Sequence, residues 1–221
     1  MKIVSRLTAL LLILLDLLPL YRLVFKRRLI LKVPSRVFKP IGTVTTSALV
    51  RYLLRKIQGG DGRIVDVGCG SGVVGLLLAK ETKNYIIMTD IDPVAVRTTW
   101  ANALMNHVDS NTDVILTNLL APFRERSIDI IVSNPPLLPI NISTIYHIPI
   151  AAGSSCSLLF LLISHASIVC SKNGRVVLTL STISDFKRIL KYAETIGFDV
   201  KVVDSARGLF DRILIVELIK L

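Results

Sequence analysis

The sequence is poor in the residues that build disulfide frameworks and metal centres. Its 221 residues include three cysteines without paired spacing, Cys69, Cys156 and Cys170. An odd set of this kind argues against a disulfide-stabilised scaffold and indicates a reducing compartment, so we expect a cytoplasmic protein. The three histidines show no metal-ligand spacing. The sequence therefore predicts no metal site.

Acidic residues are almost absent from the first 60 positions. This region contains 12 of the 27 basic residues but one of the 16 acidic residues, Asp16, so the net charge of +11 is concentrated there. A basic leader of this kind favours contacts with RNA, with a ribosome-bound partner or with an anionic membrane surface. The alternative is a charged face that only keeps the protein in solution.

Residues 7–25 form a leucine-dense stretch whose apolar pattern is interrupted. Asp16 lies in its middle, Pro19 would kink a helix and Arg22 closes the stretch. A bilayer span needs about 20 apolar residues, and a charge near its centre is costly. No small-residue cleavage site follows, which argues against a signal peptide. We expect residues 1–36 to form a helical, leucine-rich, basic extension, and two roles stay open: a short signal anchor, or a buried or interfacial helix.

Strand and helix patterns alternate after the extension. We predict strands at 63–67, 85–89, 113–117, 128–132, 175–180, 199–203 and 212–218. Helices are predicted at about 46–57, 73–81, 93–106, 155–170 and 184–196. A turn at Asn173-Gly174 is expected to lead into the fifth strand. The alternation indicates an α/β domain over residues 37–221, with a doubly wound, mostly parallel, seven-stranded sheet that binds ligands at the carboxyl ends of its strands.

The stretch from Arg63 to Gly75 organises this predicted domain. Apolar β-forming residues are followed by glycines at every second position, Gly68, Gly70 and Gly72, and then by a helical apolar pattern. Glycines remove the Cβ atoms from the turn, so the backbone can bend sharply and a ligand can lie against it. The next helix directs N–H groups and the positive end of its dipole into the same crevice. The pattern predicts a nucleotide-like ligand above the turn.

One interpretation of the turn is a dinucleotide site. The spacing Gly70-x-Gly72-x-x-Gly75 satisfies the dinucleotide fingerprint, and two acids, Asp90 and Asp92, follow about 20 residues later. This interpretation predicts a nicotinamide-dependent oxidoreductase. It does not explain the Asn-Pro-Pro sequence at residues 134–136.

The other interpretation starts from the acid that precedes the glycines. The spacing Asp66-x-Gly68-x-Gly70-x-Gly72 resembles motif I of the class I S-adenosylmethionine (SAM) methyltransferases. An acid at the end of the strand suits the cationic amino-acid half of SAM and would repel a pyrophosphate. We therefore favour a Rossmann-like methyltransferase with SAM as its cofactor.

Four polar residues follow successive predicted strands and mark one edge of the sheet: Asp66, Asp90, Asn118 and Asn134. The resemblance implies that Asp66 and the glycines hold the methionine moiety, that Asp90 binds the ribose hydroxyls and that Asn118 lies beside the adenine. Asp92 ranks second to Asp90, because it can cap the next helix. The implied cofactor site comprises Asp66, Gly68, Cys69, Gly70, Gly72, Asp90, Ile91, Asn118, Leu119 and Asn134.

A second motif, Ser133-Asn134-Pro135-Pro136-Leu137, follows the fourth predicted strand. It resembles the (N/D/S)PP(Y/F) motif of methyltransferases that modify planar nitrogens, which implies catalytic roles for Asn134, Pro135, Pro136 and Leu137. Methyl transfer from a sulfonium requires a nitrogen lone pair aimed at the methyl carbon. The Asn134 side-chain oxygen and the Pro135 carbonyl can accept two N–H bonds, orient the nitrogen and stabilise the positive charge that develops on it. Such a reaction needs no general base.

Further stretches resemble the HemK-type release-factor glutamine N5-methyltransferases, in particular their short archaeal and eukaryotic branch. They are Val37-Phe38-x-Pro40, Asn134-Pro135-Pro136-Leu137-Leu138-Pro139 and Leu209-Phe210-Asp211-Arg212-Ile213-Leu214, and Ala152-Gly153 stands where the family has a glycine pair. The resemblance covers about residues 40–221. It implies methylation of a protein glutamine, with a translation release factor as substrate and a small activator subunit as a second partner.

Two departures from that family keep other functions open. Leu137 replaces an aromatic residue that stacks on the target group, and Ile41-Gly42-Thr43-Val44 stands where acids are expected. Stacking on an aromatic contributes about 1–3 kcal/mol for a base, so its loss weakens a nucleobase substrate more than a small amide. The alternatives are an N6-adenine or N2-guanine methyltransferase of rRNA or tRNA, favoured by the basic leader, and a non-catalytic RNA- or membrane-binding protein on a methyltransferase scaffold.

Overall fold

The computed structural model describes residues 23–25, 29–34, 36–40, 44–60, 62–136, 156–208 and 211–221. Their strands are β1 (Leu23–Phe25), β2 (Leu29–Leu31), β3 (Ile64–Val67), β4 (Ile86–Asp90), β5 (Thr112–Leu116), β6 (Ile128–Ser133), β7 (Cys170–Ser181), β8 (Phe198–Arg207) and β9 (Arg212–Lys220). Their helices are α1 (Val44–Lys56), α2 (Val73–Thr82), α3 (Pro93–Met105), α4 (Ser157–Val169) and α5 (Phe186–Thr195). Among these residues, no helix combines the length and the apolar character that crossing a bilayer requires.

Seven strands form one sheet in the order β5-β4-β3-β6-β7-β9-β8. Neighbouring strands from β5 to β7 run parallel, whereas β9 runs antiparallel to both β7 and β8. This arrangement confirms the predicted α/β fold with a doubly wound, mostly parallel, seven-stranded sheet. The strand order reverses at β3, because β4 and β5 lie on one side of it and β6 lies on the other. Ligands bind at such switch points, outside the carboxyl ends of the strands.

A hydrophobic core covers each face of the sheet. One core joins β2 with residues of α1, α2 and α3, and the other contains residues of α4 and α5. Adjacent residues of β3 divide between the two, because side chains alternate along a strand: Ile64 packs into the first core and Val65 into the second. Residues 73–79 of α2 are all buried, which accounts for the continuous apolar pattern of this helix.

The described part of the N-terminal extension forms strands rather than a helix. β1 and β2 pair as an antiparallel two-stranded sheet, so the helical extension predicted over residues 1–36 is wrong for residues 23–25 and 29–31. The reason is tertiary packing, since three residues on or next to β2 are at most 1% exposed within the first core: Leu29, Leu31 and Val33. Residues 1–22 lie outside the described residues.

The start of β7 also differs from the prediction. Residues 170–181 form one strand, although the sequence predicts a turn at Asn173-Gly174. Asn173 has a left-handed φ of 62°, and the pairing of β6 with β7 shifts register between Ile128 and Ile130. The turn-forming residues therefore produce an irregularity within the strand instead of a loop before it.

Candidate active site

The switch point brings the two predicted motifs to adjacent strand ends. Val67, the last residue of β3, pairs with Ser133, the last residue of β6, so Gly68 and Asn134 leave the sheet side by side. The Ser133 hydroxyl also donates a hydrogen bond to the Val67 carbonyl at 2.9 Å. Because adjacent strands lie about 4.8 Å apart, both motifs border the same crevice.

The glycine turn after β3 is open toward the crevice. Gly68, Gly70 and Gly72 have φ values of 71°, 59° and 81°, a region that favours glycine. A Cβ atom on Gly68 or Gly70 would have no neighbour within 4 Å, so both positions face open space. A Cβ atom on Gly72 would lie 2.8 Å from the Thr99 Cγ2 atom. The turn thus presents bare backbone to a ligand at its first two glycines and packs against α3 at the third.

Two side chains of α3 bind carbonyls of the turn, and the sequence analysis identified neither. The Thr99 hydroxyl donates to the Gly70 carbonyl at 2.9 Å. The Asn102 side-chain amide donates to the Ser71 carbonyl at 2.9 Å. Both side chains are fully buried. Their spacing of three residues places them on one face of a helix, which was the signal available in the sequence.

Cys69 contributes its backbone rather than a reactive thiol. Its amide donates to the Thr89 carbonyl of β4 at 2.9 Å, and its Sγ atom lies 3.5 Å from the Thr99 hydroxyl. Burial, together with the charge of Asp66, raises the pKa of the thiol well above its ordinary value. The thiol therefore stays protonated at neutral pH, which makes it a poor nucleophile.

Asp66 lies beneath the glycine turn rather than in the open crevice. It is 2% exposed, and its Oδ2 atom accepts the Gly75 amide of α2 at 2.9 Å. Burial raises the pKa of Asp66 to about 7; the bond from Gly75 opposes this shift, and the charge of Asp90 adds to it. Through this hydrogen bond Asp66 stabilises the start of α2. With a pKa of about 7, its carboxyl group gains or loses its proton near neutral pH.

Asp90, at the end of β4, links the glycine turn to the start of α3. Its Oδ2 atom accepts the Gly70 amide at 2.9 Å, and its Oδ1 atom accepts the Asp92 amide at 2.9 Å. Burial raises the pKa of Asp90, whereas these backbone bonds lower it. Each oxygen keeps further acceptor capacity. The carboxylate can therefore bind a pair of ligand hydroxyls as well as the turn.

The two residues after Asp90 have different environments. Asp92 caps α3, as predicted, since its Oδ1 atom accepts the Val94 amide at 2.8 Å and Pro93 follows in the first turn. Ile91 is 63% exposed, a high fraction for an aliphatic residue beside a crevice. It offers apolar surface next to the Asp90 carboxylate, which a planar ring could cover.

Asn118 and Leu119 follow β5, two strands away from β3. The Thr117 amide donates to the Asp90 carbonyl at 2.9 Å, which draws this loop to the end of β4. Asn118 is exposed, whereas Leu119 packs against the second core. The predicted cofactor residues therefore extend along the strand ends from β5 to β6. Such a row suits an elongated ligand, such as a nucleoside with an amino-acid arm.

The amide of Asn134 is held at both ends by hydroxyl groups. Its Oδ1 atom accepts the Thr179 hydroxyl of β7 at 2.8 Å, and its Nδ2 atom donates to the Thr46 hydroxyl of α1 at 3.2 Å. Both threonines are fully buried. Pro135 is buried and Pro136 is half-buried. Other predicted positions lie outside the described residues: Leu137, Leu138, Pro139, Ala152, Gly153, Leu209 and Phe210.

The features of this crevice fit SAM. Bare backbone at Gly68 and Gly70 leaves room for the amino-acid arm, and the Asp90 carboxylate has acceptor capacity for the ribose hydroxyls. Ile91 adds exposed apolar surface for a purine ring. A site for a nucleoside with a charged amino-acid arm needs this combination.

Comparison with known proteins decides between the possible ligands. The sequence model of the methyltransferase small domain family matches residues 43–191, more than half of the chain. The chain belongs to this family. The methyltransferase is SAM-dependent and SAM is its methyl donor, which confirms the predicted enzyme class and cofactor.

Curated relatives match part of the methyltransferase. The ribosomal protein L11 methyltransferase of Listeria monocytogenes is 36% identical over 90 residues, which are 41% of this chain and 28% of the relative. The chain therefore spans less than a third of the length of that relative.

Solved structures resemble the methyltransferase over most of its length. The E. cuniculi Mtq2–Trm112 complex, described as methylating the eRF1 translation termination factor, has a TM-score of 0.61 at 17% identity, with 84% of this chain and 99% of that chain covered. The ribosomal protein L11 methylase of Lactobacillus delbrueckii subsp. bulgaricus has a TM-score of 0.57 at 18% identity, with 76% and 75% covered. At these identities the likeness shows the fold.

Proposed function

We propose that this methyltransferase transfers the methyl group of SAM to a planar amide or amine nitrogen, with a protein glutamine N5 as its substrate. The observation that carries the proposal is the Asn134 amide, held by two buried hydroxyls beside the glycine turn. A fixed acceptor selects a substrate that offers an N–H bond in a defined plane. The fold likeness to a methyltransferase of a termination factor supports a release-factor substrate.

In this proposal, residues at the carboxyl ends of different strands bind different parts of SAM. The backbone of residues 68–72 holds the methionine moiety, and Asp90 accepts the ribose hydroxyls. Asp66 supports the turn from below, and its negative charge favours the cationic amino group of the cofactor. The adenine lies among apolar and polar groups of the rim, which are Ile91, Asn118 and Leu119.

The Asn134 motif orients the substrate nitrogen. SAM, when bound, supplies a methyl group on a positively charged sulfur. The Asn134 Oδ1 atom accepts one bond from Thr179, and its second lone pair accepts one N–H of the substrate. The Pro135 carbonyl accepts the other N–H. Both acceptors aim the nitrogen lone pair at the methyl carbon and stabilise positive charge on the nitrogen, which then loses one N–H proton to water to give the neutral N-methyl product. Pro136 stiffens the loop, and Leu137 stands in the sequence where the resembled motif has an aromatic residue.

A substrate in the translation machinery also gives the basic N-terminal region a role. We propose that the basic residues of the first 60 positions contact RNA or the ribosome near the substrate, in the cytoplasm. Their alternative role is contact with an anionic membrane through residues 7–25. A small activator subunit is a further proposed partner, and the presence of Trm112 beside Mtq2 in the E. cuniculi complex supports it.

Tritiated methyl transfer to a cell extract tests the substrate class. The full chain is incubated with labelled SAM and extract, and the products are divided between nuclease and protease digestion. Protease-sensitive label that maps to glutamine is the expected result. Nuclease-sensitive label would favour the rRNA or tRNA alternative. Absence of label in every fraction, despite SAM binding, would favour the non-catalytic scaffold.

The variant Asn134→Ala tests the assigned acceptor. We expect methyl transfer to fall by at least about 10²-fold, the scale for removing one fixed polar contact of a transition state. The Kd for SAM, measured by calorimetry, should stay within about threefold of the wild-type value. Full turnover in this variant would contradict the role of Asn134.

A further inference from the structure

Strand β2 and the adjoining Lys32 are bound by two asparagine side chains, Asn102 of α3 and Asn106, the C-cap residue of α3. The Asn106 amide accepts the Ile30 N–H at 2.9 Å and donates to the Ile30 carbonyl at 2.7 Å. The Asn102 amide accepts the Lys32 N–H at 2.8 Å and donates to the Lys32 carbonyl at 3.2 Å. Each side-chain amide thus pairs with a backbone amide as a neighbouring strand would. The edge of β2 facing α3 is paired in this way.

The two asparagines differ in their third hydrogen bond. Asn102 Nδ2 also donates to the Ser71 carbonyl at 2.9 Å, inside the glycine turn. Asn106 Nδ2 instead donates to the Asn102 backbone carbonyl at 2.7 Å, within α3. The Asn102 side chain therefore joins the N-terminal strand to the glycine turn, whereas the Asn106 side chain joins the strand to the backbone of α3.

We propose that Asn102 is a positioning residue of the cofactor site, and that docking of β2 on α3 sets the affinity for SAM. The inference rests on the proposed binding of SAM at residues 68–72. Release of β2 leaves the Asn102 oxygen without the Lys32 N–H, so the side chain reorients and the hold on the Ser71 carbonyl weakens. The turn then loses the shape that presents its backbone to the cofactor.

The coupling must also act in the opposite direction. If docked β2 strengthens SAM binding, bound SAM strengthens the docking of β2 by the same factor. The N–H groups of Ile30 and Lys32 report on docking, because each is bound by an asparagine side chain of α3. Their exchange with solvent measures how often β2 leaves α3.

Asn102→Ala and Asn106→Ala form a matched pair, because each removes two hydrogen bonds to β2. SAM affinity of the full chain is measured by calorimetry, and stability by thermal unfolding. We expect Asn102→Ala to raise the Kd for SAM at least tenfold, because it removes the link between Lys32 and the Ser71 carbonyl. Asn106→Ala should raise the Kd less than threefold at a similar loss of Tm, because Asn102 still holds Lys32 and the turn together. Equal effects of both variants, or no effect of either, would overturn the coupling.

Amide exchange measured by NMR gives a test that begins with the wild-type chain. We expect SAM to slow exchange of the Ile30 and Lys32 amides at least threefold in the wild type. In Asn106→Ala the Lys32 amide, which Asn102 still accepts, should be slowed to a similar extent. In Asn102→Ala the Ile30 amide, which Asn106 still accepts, should not be slowed. Unchanged exchange in the wild type despite SAM binding would refute the coupling and leave the cofactor site intact. A wild-type chain that does not bind SAM would instead refute the proposed site, and the inference with it.

Discussion

In the proposed reaction, Thr46 and Thr179 determine which groups Asn134 can offer a substrate. They lie on α1 and β7, both are fully buried, and they bind opposite ends of one amide. With both ends held, Asn134 retains one acceptor lone pair and one N–H for the crevice. These groups match a substrate in which an N–H stands beside an acceptor, as in a primary amide or the amino edge of adenine. An alkyl ammonium group has no acceptor, so it could donate to the Asn134 oxygen but could not accept its N–H.

Thr179→Val tests whether this arrangement serves the reaction. We expect the variant to lower kcat about tenfold or more and to leave the Kd for SAM within about twofold, because the hydroxyl acts through Asn134. Thr179→Ser keeps the hydroxyl and should restore kcat. Thr179 gives the cleaner test, since Thr46 makes a further interaction. A loss of SAM affinity equal to the loss of kcat would point to a general structural role.

Asp66 gives the protein a pH-dependent stability. The ordinary pKa of an aspartate is about 4, whereas burial raises that of Asp66 to about 7. Between these values the folded state binds more protons, so the contribution of Asp66 to the free energy of unfolding falls as pH rises from about 4 to about 7. We expect Asp66→Asn to be more stable than the wild type by about 1–3 kcal/mol at pH 8, and by less at pH 5.

Denaturant unfolding of both proteins at the two pH values checks this expectation. The difference between variant and wild type isolates Asp66 from the other titrating groups. A difference that is the same at pH 5 and pH 8 would mean that Asp66 titrates at an ordinary pKa.

At the scale of elements, the glycine turn combines an open side with a packed side. The open side at Gly68 and Gly70 borders the crevice, and the packed side at Gly72 meets Thr99 of α3. α3 also carries Asn102, which binds the Ser71 carbonyl. The turn therefore depends on a helix that begins 21 residues after Gly72 in the sequence, and its shape is a tertiary property.

Alanine substitutions at Gly68 and Gly72 separate these two sides. Both variants carry the strain of a left-handed residue, about 1–2 kcal/mol. In Gly72→Ala the free energy of unfolding should fall by a further amount of about 1–3 kcal/mol. The reason is that its methyl group would lie 2.8 Å from Thr99 Cγ2 and 2.9 Å from Leu76 Cδ1. Gly68→Ala should raise the Kd for SAM about tenfold or more, since its methyl group enters the crevice.

Unfolding free energies and SAM calorimetry on both variants check these expectations. If Gly68→Ala bound SAM as tightly as the wild type, the cofactor would not lie against this side of the turn. If Gly72→Ala were as stable as Gly68→Ala, the contact with α3 would be less rigid than the distances indicate.

On the scale of the whole molecule, the sheet determines where the proposed cofactor and substrate sites meet. The reversal of strand order at β3 leaves a crevice between the ends of β4, β3 and β6, and the glycine turn, Asp90 and Asn134 all border it. The glycine pattern alone also satisfies a dinucleotide fingerprint. A measurement on the intact chain can distinguish SAM from a dinucleotide as the ligand of this site.

Thermal unfolding with SAM and with NAD makes that comparison. A ligand at 100 times its Kd stabilises the folded state by about 2.7 kcal/mol, which corresponds to a rise in Tm of roughly 5–10 °C for a chain of this size. We expect this rise with SAM and none with NAD at the same concentration. A larger rise with NAD would contradict the assignment of the cofactor.

Much of the fold and part of the site could be predicted from local sequence patterns. Apolar runs ending in polar residues marked the strands and placed Asp66, Asp90, Asn118 and Asn134 at one edge. The structure locates Asp90 at the end of β4 and Asn118 and Asn134 just beyond β5 and β6, whereas Asp66 lies within β3 and is buried. The cap at Asp92 was predicted from its position before Pro93. The partners of Asn134 were not predicted, because Thr46 and Thr179 are 88 and 45 residues away from it in sequence.

The sequence by itself therefore determined the alternation of strands and helices, the glycine turn and the methyltransferase class. The alternation and the turn depend on side-chain periodicity and on the backbone freedom of glycine, which are local properties. The methyltransferase class followed from the resemblance of two short motifs, at residues 66–72 and 133–137, to those of known methyltransferases. Only the tertiary structure decided that β1 and β2 are strands, that Asp66 is buried beneath the turn, and which side chains hold Asn134 and the Ser71 carbonyl. Those features arise from burial and from hydrogen bonds between distant segments, and neither is encoded in any one stretch of the chain.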